Sequence, residues 1–294
     1  MRALPTGEQY EITHDRWLVV VTEVGATLRS IQLDGRELLW TFGADEVPAS
    51  SQGLQLVPWP NRIRDGRYQF GGTEYQLPIS EVPRQNAIHG LNHGRPWQLI
   101  RHDDDGVEQQ TTFYPQKGWP GVLTVSIRHT LSADGLRVEV EARNDGSHPV
   151  PYGYGVHPYF AFGEVSDVVL QLPFNNELLV DPERLLPQQI AEVSAEKDFR
   201  DAHPVEDANF DTAFCSPSEP QWAVQLQDAT HAFELWADES MPWVQVFTPP
   251  ARNAIAVEPM TCGPDAFNQG VTHDDLITLA PGDSTRSVWG VRSL

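Results

Sequence analysis

Cysteine, positive charge and long apolar runs are all scarce in this 294-residue chain, and each scarcity removes a class of function. The two cysteines, Cys215 and Cys262, are too few and too far apart for a disulfide framework or a zinc site, which fits a reducing cytoplasm. Both read as small buried residues. Acidic residues outnumber basic ones 41 to 20, for a formal charge of −21, and no basic block interrupts them. Such a chain repels a nucleic-acid backbone or an anionic membrane surface, so neither is an expected partner. The first residues, MRALPTGEQYEITHDRW, lack the apolar run of a signal peptide, and the longest early apolar stretch is Trp17 to Val21. The chain is therefore expected to be cytoplasmic and to cross no membrane. It has no glycine-rich phosphate fingerprint and no βαβ rhythm, which argues against dinucleotide and P-loop architectures. No metal or redox cofactor is expected, and oligomeric state is not legible.

What the chain does have is alternation with a period of two. In GLRVEVEAR, Leu136, Val138, Val140 and Ala142 face one way and the charged residues between them the other. The preceding VLTVSIRHTL puts Leu123, Val125 and Ile127 on one face, and SADG joins the two runs as a hairpin. Further expected pairs are GRYQF with TEYQL, WAVQLQD with HAFELWAD, and LITL with SVWGV across APGD. Only Pro187 to Phe199 carries a weak helical period. The pattern predicts an all-β fold, two large antiparallel sheets packed face to face, with residues 1–294 as a single domain.

Four segments break the strand pattern with turn residues, aromatics and isolated polar groups: PWPNRIRDGRY, NAIHGLNHGRPW, YGYGVHPYF and AVEPMTCGPDAFNQG. Arg62 reads either as a solvated arginine or as a forked donor to ligand oxygens. His89 sits before Gly90, which allows close backbone approach, and suits a backbone-bonded histidine as well as a ligand contact. His93 reads as a rim residue. Pro158 biases His157 toward extended geometry, at a strand or strand end. Glu258 follows the apolar run AIAV, where a carboxylate costs free energy unless it is paired or used. Asp211, between aromatics in NFDTAF, either caps a turn or bonds a sugar hydroxyl. Nine tryptophans, mostly core, also offer flat faces suited to a carbohydrate ring.

Taken in order, NRIRDGRYQFGGTEYQL, NAIHGL followed by PW, GVHPYF, FDTAF and VEPMTCGPDAFN resemble the aldose 1-epimerase (mutarotase) family over most of the chain. The forms HGLNHGRPW and EPMTCGPDAFN further resemble bacterial members grouped with a sulfoquinovose-pathway mutarotase. The resemblance implies a galactose-mutarotase-like β-sandwich with a sugar cleft on one concave sheet. It implies His157 as general acid, Glu258 as general base, and Arg62, His89 and Asp211 as sugar-binding residues, with no metal.

The residue types suit that isomerase chemistry, since opening a hemiacetal ring needs one base at the C1 hydroxyl and one acid at the ring oxygen. A neutral hexose is the expected substrate. An anionic sugar such as sulfoquinovose is the alternative, because Arg62, Arg64, Arg67, Arg84 and Arg95 near the expected cleft oppose the repulsion of the net charge. Two other readings compete: a glycoside hydrolase using Glu258 with Asp211 as paired carboxylates, and a non-catalytic carbohydrate-binding protein.

Overall fold

The computed structural model describes residues 3–294, in which 27 strands and three short 3-10 turns follow one another without an α-helix. All the named strand pairings are antiparallel. The largest sheet has nine strands, with Leu123–Ser132, Gly135–Asn144, Ser284–Ser293 and Ala232–Ala237 as consecutive neighbours at its centre. A second, of eight strands, runs from Pro187–Glu192 through Phe174–Val180, Asp211–Pro217, Trp243–Phe247 and Ala254–Met260 to Gly155–Val156 and Gln55–Leu56, with Tyr159–Ala161 also paired to Ala254–Met260. A four-stranded sheet formed by residues 9–37 flanks them.

Alternation determines which side of each strand meets the core. In Leu123–Ser132 every second residue is buried, and Val125, Ile127 and Leu131 join Val138 and Val140 of the next strand in one apolar cluster. From the eight-stranded sheet, Phe214, Val244, Val246, Ile255 and Val257 enter the same cluster. Phe160 meets Phe233 across the two sheets at a centroid distance of 4.9 Å, and Phe174 meets Trp222 at 5.0 Å. Burying such side chains stabilises the sandwich by about 1.5–3 kcal/mol each relative to exposure. The residues between them, including Asp211, Gln245, Ala256 and Glu258, therefore point from the opposite face of the eight-stranded sheet.

Three of the expected hairpins form. Gly135 closes Leu123–Ser132 onto Gly135–Asn144 in the register Ser132↔Gly135, Arg67–Phe70 pairs with Thr73–Gln76, and Trp222–Gln227 pairs with Ala232–Ala237. Two expectations fail. Residues 187–199 form no helix: Pro187–Glu192 is an edge strand on Phe174–Val180, where Ile190 opposes Leu178 and packs with it over Cys215. The tertiary contact overrides a weak local period. Ile277–Leu279 does not pair with the closing strand either, but with Val150–Tyr152. The turn between them bonds Asn144 instead: its side-chain amide donates to the Leu279 carbonyl, and its backbone carbonyl accepts from Gly282. Cys215 and Cys262 are buried free thiols.

Candidate active site

Strand register assembles the polar face. Gln245 lies opposite Glu258, and Asp211 opposite Phe247, which in turn opposes Ala256 and then Tyr159. His157 falls in the gap between Gly155–Val156 and Tyr159–Ala161, at a strand end, with its backbone fixed on both sides. Its N–H donates to the Leu54 carbonyl at 3.1 Å and its carbonyl accepts from Gly53 at 2.8 Å. The Tyr159 ring stacks on the imidazole at 4.5 Å. From the other side comes the pair Arg62–Arg64 and Asn86–Ile88, which ends at His89. His89 has a φ of 62° and Gly90 one of 77°; a Cβ at Gly90 would overlap the Val57 carbonyl, so only glycine permits this turn.

These elements enclose a cavity of about 480 Å³, within the roughly 300–1,000 Å³ of small-molecule sites. All five residues singled out from the sequence line it: Arg62, His89, His157, Asp211 and Glu258. A slightly larger hollow, about 560 Å³, lies beside the Arg67–Gln76 hairpin, but its lining holds no histidine and its buried members are the apolar Tyr68 and Phe267.

At the floor, His157 Nε2 and Glu258 Oε1 are 3.3 Å apart, with side chains only 7% and 2% exposed. The contact has the geometry of an ion pair. Desolvation nevertheless favours the neutral forms: burial, reinforced by the charge of Asp211, pushes Glu258 well above the usual carboxylate range, against a smaller opposing pull from Arg62. Burial likewise pushes His157 down to about 3. His89 is held well below its ordinary value by burial first, and then by His157, Arg62 and His93. Glu258 Oε2 and His89 Nδ1 are buried without a hydrogen-bond partner. Both residues line the cavity, so a ligand there could complete their bonding.

Arg62 departs from the expected fork. It is buried, and its Nε and Nη2 grip the Glu81 carboxylate at 2.9 and 3.0 Å, which leaves only Nη1, 3.4 Å from Asn61 Oδ1, without a close partner. Asp211 is neither buried nor a turn cap; its Oδ1 accepts from Gln245 Nε2 at 2.9 Å. Of the other arginines, only Arg84 reaches the cavity. Arg64 pairs with Asp265, Arg67 bonds Gln76, and Arg95 lies over Phe113. His93 bonds Ser51 at the rim. No tryptophan lines the cavity; its aromatic walls are Tyr159 and Phe247. Sequence reading missed Glu81, Gln245 and Tyr159. Gln245 carried a faint signal, as the polar residue in the apolar run WVQVF.

A sandwich of large antiparallel sheets with a buried histidine–glutamate contact and hydrogen-bonding side chains on the outer face of one sheet defines a galactose-mutarotase-like fold. The match is specific: residues 8–292 fit the family Aldose 1-epimerase, and the chain belongs to that family. It is 32% identical to the uncharacterized protein YihR of Escherichia coli K12, over 97% of this chain and 93% of that protein. It is 27% identical to human galactose mutarotase over 83% of this chain and 79% of that one. A crystal structure from Escherichia coli K12, provisionally described as an aldose 1-epimerase, superposes with a TM-score of 0.84 at 25% identity, covering 97% of this chain and 98% of that one.

Proposed function

We propose that the chain, acting as one domain over residues 1–294, is a mutarotase that interconverts the α and β anomers of a hexose. The observation that carries this reading is the convergence of His157 Nε2 and Glu258 Oε1 at 3.3 Å beneath a polar cavity. The C1 hydroxyl and the ring oxygen of a hemiacetal sit on one carbon, so the groups serving them must also converge. Glu258 takes the hydroxyl proton as C1 becomes a carbonyl. The bond from C1 to the ring oxygen breaks, and that oxygen takes a proton from His157. Rotation about C1–C2 presents the other carbonyl face, and the reverse transfers close the ring.

The pair carries one proton throughout. It starts ring opening as imidazolium and carboxylate and ends it as imidazole and carboxylic acid. Burial favours the latter arrangement, so in the resting site the shared proton lies on Glu258 and passes to His157 before ring opening begins. Each transfer contributes on the order of 10²- to 10⁴-fold. Arg62 Nη1, His89 and Asp211 hold the sugar hydroxyls, and the Tyr159 and Phe247 rings face its apolar carbons.

Relatives named galactose mutarotase support a neutral hexose. Arg84 favours a second reading: partly exposed at the cavity, and tied to Glu81 through Nη1 alone, it suits an anionic sugar. NMR saturation transfer between anomeric protons of glucose, galactose and sulfoquinovose, with Glu258→Gln as control, tests both. Faster exchange of a neutral sugar, lost in the variant, is expected. Exchange of sulfoquinovose alone selects the second reading, and exchange of none of the three overturns the proposal.

A further inference from the structure

Arg62 is presented to the cavity by a chain of contacts that begins far away in the sequence. The short turn Val82–Arg84, which follows Glu81, has no buried residue, so no apolar anchor holds it. Its attachment is polar. The turn at residues 181–186, which connects two strands at the edge of the eight-stranded sheet, sends Arg184 across to it. Arg184 Nε donates to the Arg84 carbonyl at 3.0 Å, and Nη2 reaches the Gln85 carbonyl, Asn86 Oδ1 and Asp65 Oδ1 at 3.1, 3.1 and 2.8 Å. Asn86, fully buried, then donates to Glu81 Oε2 at 2.9 Å. Glu81 in turn holds two nitrogens of Arg62.

Each link has an orienting effect. The Asp181 carboxylate accepts from the backbone N–H groups of Glu183, Arg184 and Leu186, which fixes the turn from which Arg184 projects. Arg184 holds the amide of Asn86 at both ends: its guanidinium donates to the oxygen, and its backbone carbonyl accepts at 3.2 Å from the nitrogen that also donates to Glu81. Glu81, held by Asn86 and Arg84 as well as by Arg62, cannot rotate away from the guanidinium. With Nε and Nη2 occupied, Arg62 keeps only Nη1, which makes one long contact of 3.4 Å to Asn61 Oδ1 and has a second N–H to offer a ligand, and the plane of the guanidinium is set by Glu81.

We infer that Arg184 is a positioning residue for Arg62, acting through Asn86 and Glu81 to fix the orientation in which the Arg62 guanidinium lines the cavity. The kinetic part rests on the reading of Arg62 as a sugar contact. The orientation part does not. A planar guanidinium reaching four oxygens is what the site requires, and a lysine ammonium cannot reproduce that fork.

The experiment compares wild type, Arg184→Ala and Arg184→Lys by anomer-exchange kinetics and by the Arg62 Nε–Hε resonance, assigned through its loss in Arg62→Lys. In Arg184→Ala the resonance shifts or broadens and KM rises about tenfold while kcat stays within about twofold, because binding geometry is lost but the acid–base pair is not. Sub-denaturing guanidinium ion partly restores KM in Arg184→Ala alone. An unchanged Arg62 resonance, or an altered resonance with wild-type KM, overturns the inference. If Arg184→Ala fails to fold, Arg184→Lys carries the same two readouts. Should wild type exchange no anomers, the functional proposal falls, and the Arg62 resonance still decides whether Arg184 orients it.

Discussion

Glu258 Oε1 and His157 Nε2 face each other at 3.3 Å from strands that are neighbours only through the sheet, since 100 residues separate them in sequence. Neither group is comfortable where it lies: burial opposes the charge on each. The fold tolerates this because Ile255 and Val257, on the core side of the same strand, remain fully buried. The cost at the site is offset by packing on the other face, and that balance makes the pair's stability and its chemistry separately testable.

Replacing Glu258 by glutamine keeps the shape and removes the ionisable proton. Anomer exchange is expected to fall by about 10²-fold or more, with His157→Asn giving a similar loss. Stability should move the other way. Glu258 is raised in the folded state, so its contribution is complete below its ordinary value of 4.5 and is lost as pH rises through the folded value. The variant should therefore lose less stability than wild type as pH rises, measured by urea unfolding at pH 5 and pH 8. Wild-type turnover in either variant sinks the assignment.

The same pair predicts the pH dependence of kcat/KM. Because His157 is held down to about 3, no inflection should appear near 6.5, where an ordinary histidine titrates. Activity instead falls on the alkaline side, when the pair loses its single proton from the raised Glu258. Removing the nearby charge with Asp211→Asn should shift that alkaline limb to lower pH. An inflection at 6.5 that disappears in His157→Asn would contradict this account.

Gly90 offers a test of the scaffold. Alanine there must adopt a φ of 77° and overlap the Val57 carbonyl, so Gly90→Ala should destabilise the protein by at least about 2 kcal/mol and displace His89. Thermal unfolding checks the first effect and sugar titration the second. A variant as stable as wild type would mean that the backbone near His89 yields easily.

Local alternation made much of the architecture readable. The pairs Leu123–Ser132 with Gly135–Asn144 and Trp222–Gln227 with Ala232–Ala237 are hairpins whose faces and turns lie side by side in the chain. Strands whose partners are distant were not readable: nothing within LITL points to Val150–Tyr152, and nothing in PQQIAE points to the sheet edge it joins. The site divides in the same way. Glu258 stood out because a carboxylate ends an apolar run, and His157 because a histidine precedes a proline among aromatics. Glu81 looked like any surface acid, since only folding brings it to Arg62. Tyr159 was read as part of the aromatic run beside His157, and its place on the cavity wall follows from the pairing of Tyr159–Ala161 with Ala254–Met260.

His129, outside the site, supplies the last prediction. It shares the core-facing row of its strand with Val125, Ile127 and Leu131, is fully buried, and neither ring nitrogen has a hydrogen-bond partner. Burial alone depresses it to about 3, from an ordinary 6.5. The unfolded chain therefore takes up a proton that the folded chain refuses, and stability falls by about 1.4 kcal/mol per pH unit below 6.5 on account of this residue. Leucine has a comparable size and no polar atoms to leave unsatisfied. His129→Leu should be somewhat more stable at pH 7, where the lone imidazole costs about 1–3 kcal/mol, and the advantage should widen as pH drops toward 5. Urea unfolding of both proteins at the two pH values measures it. Parallel loss of stability on acidification would show that His129 takes up its proton within the fold, through an opening of the Leu123–Ser132 strand that the packed core does not display.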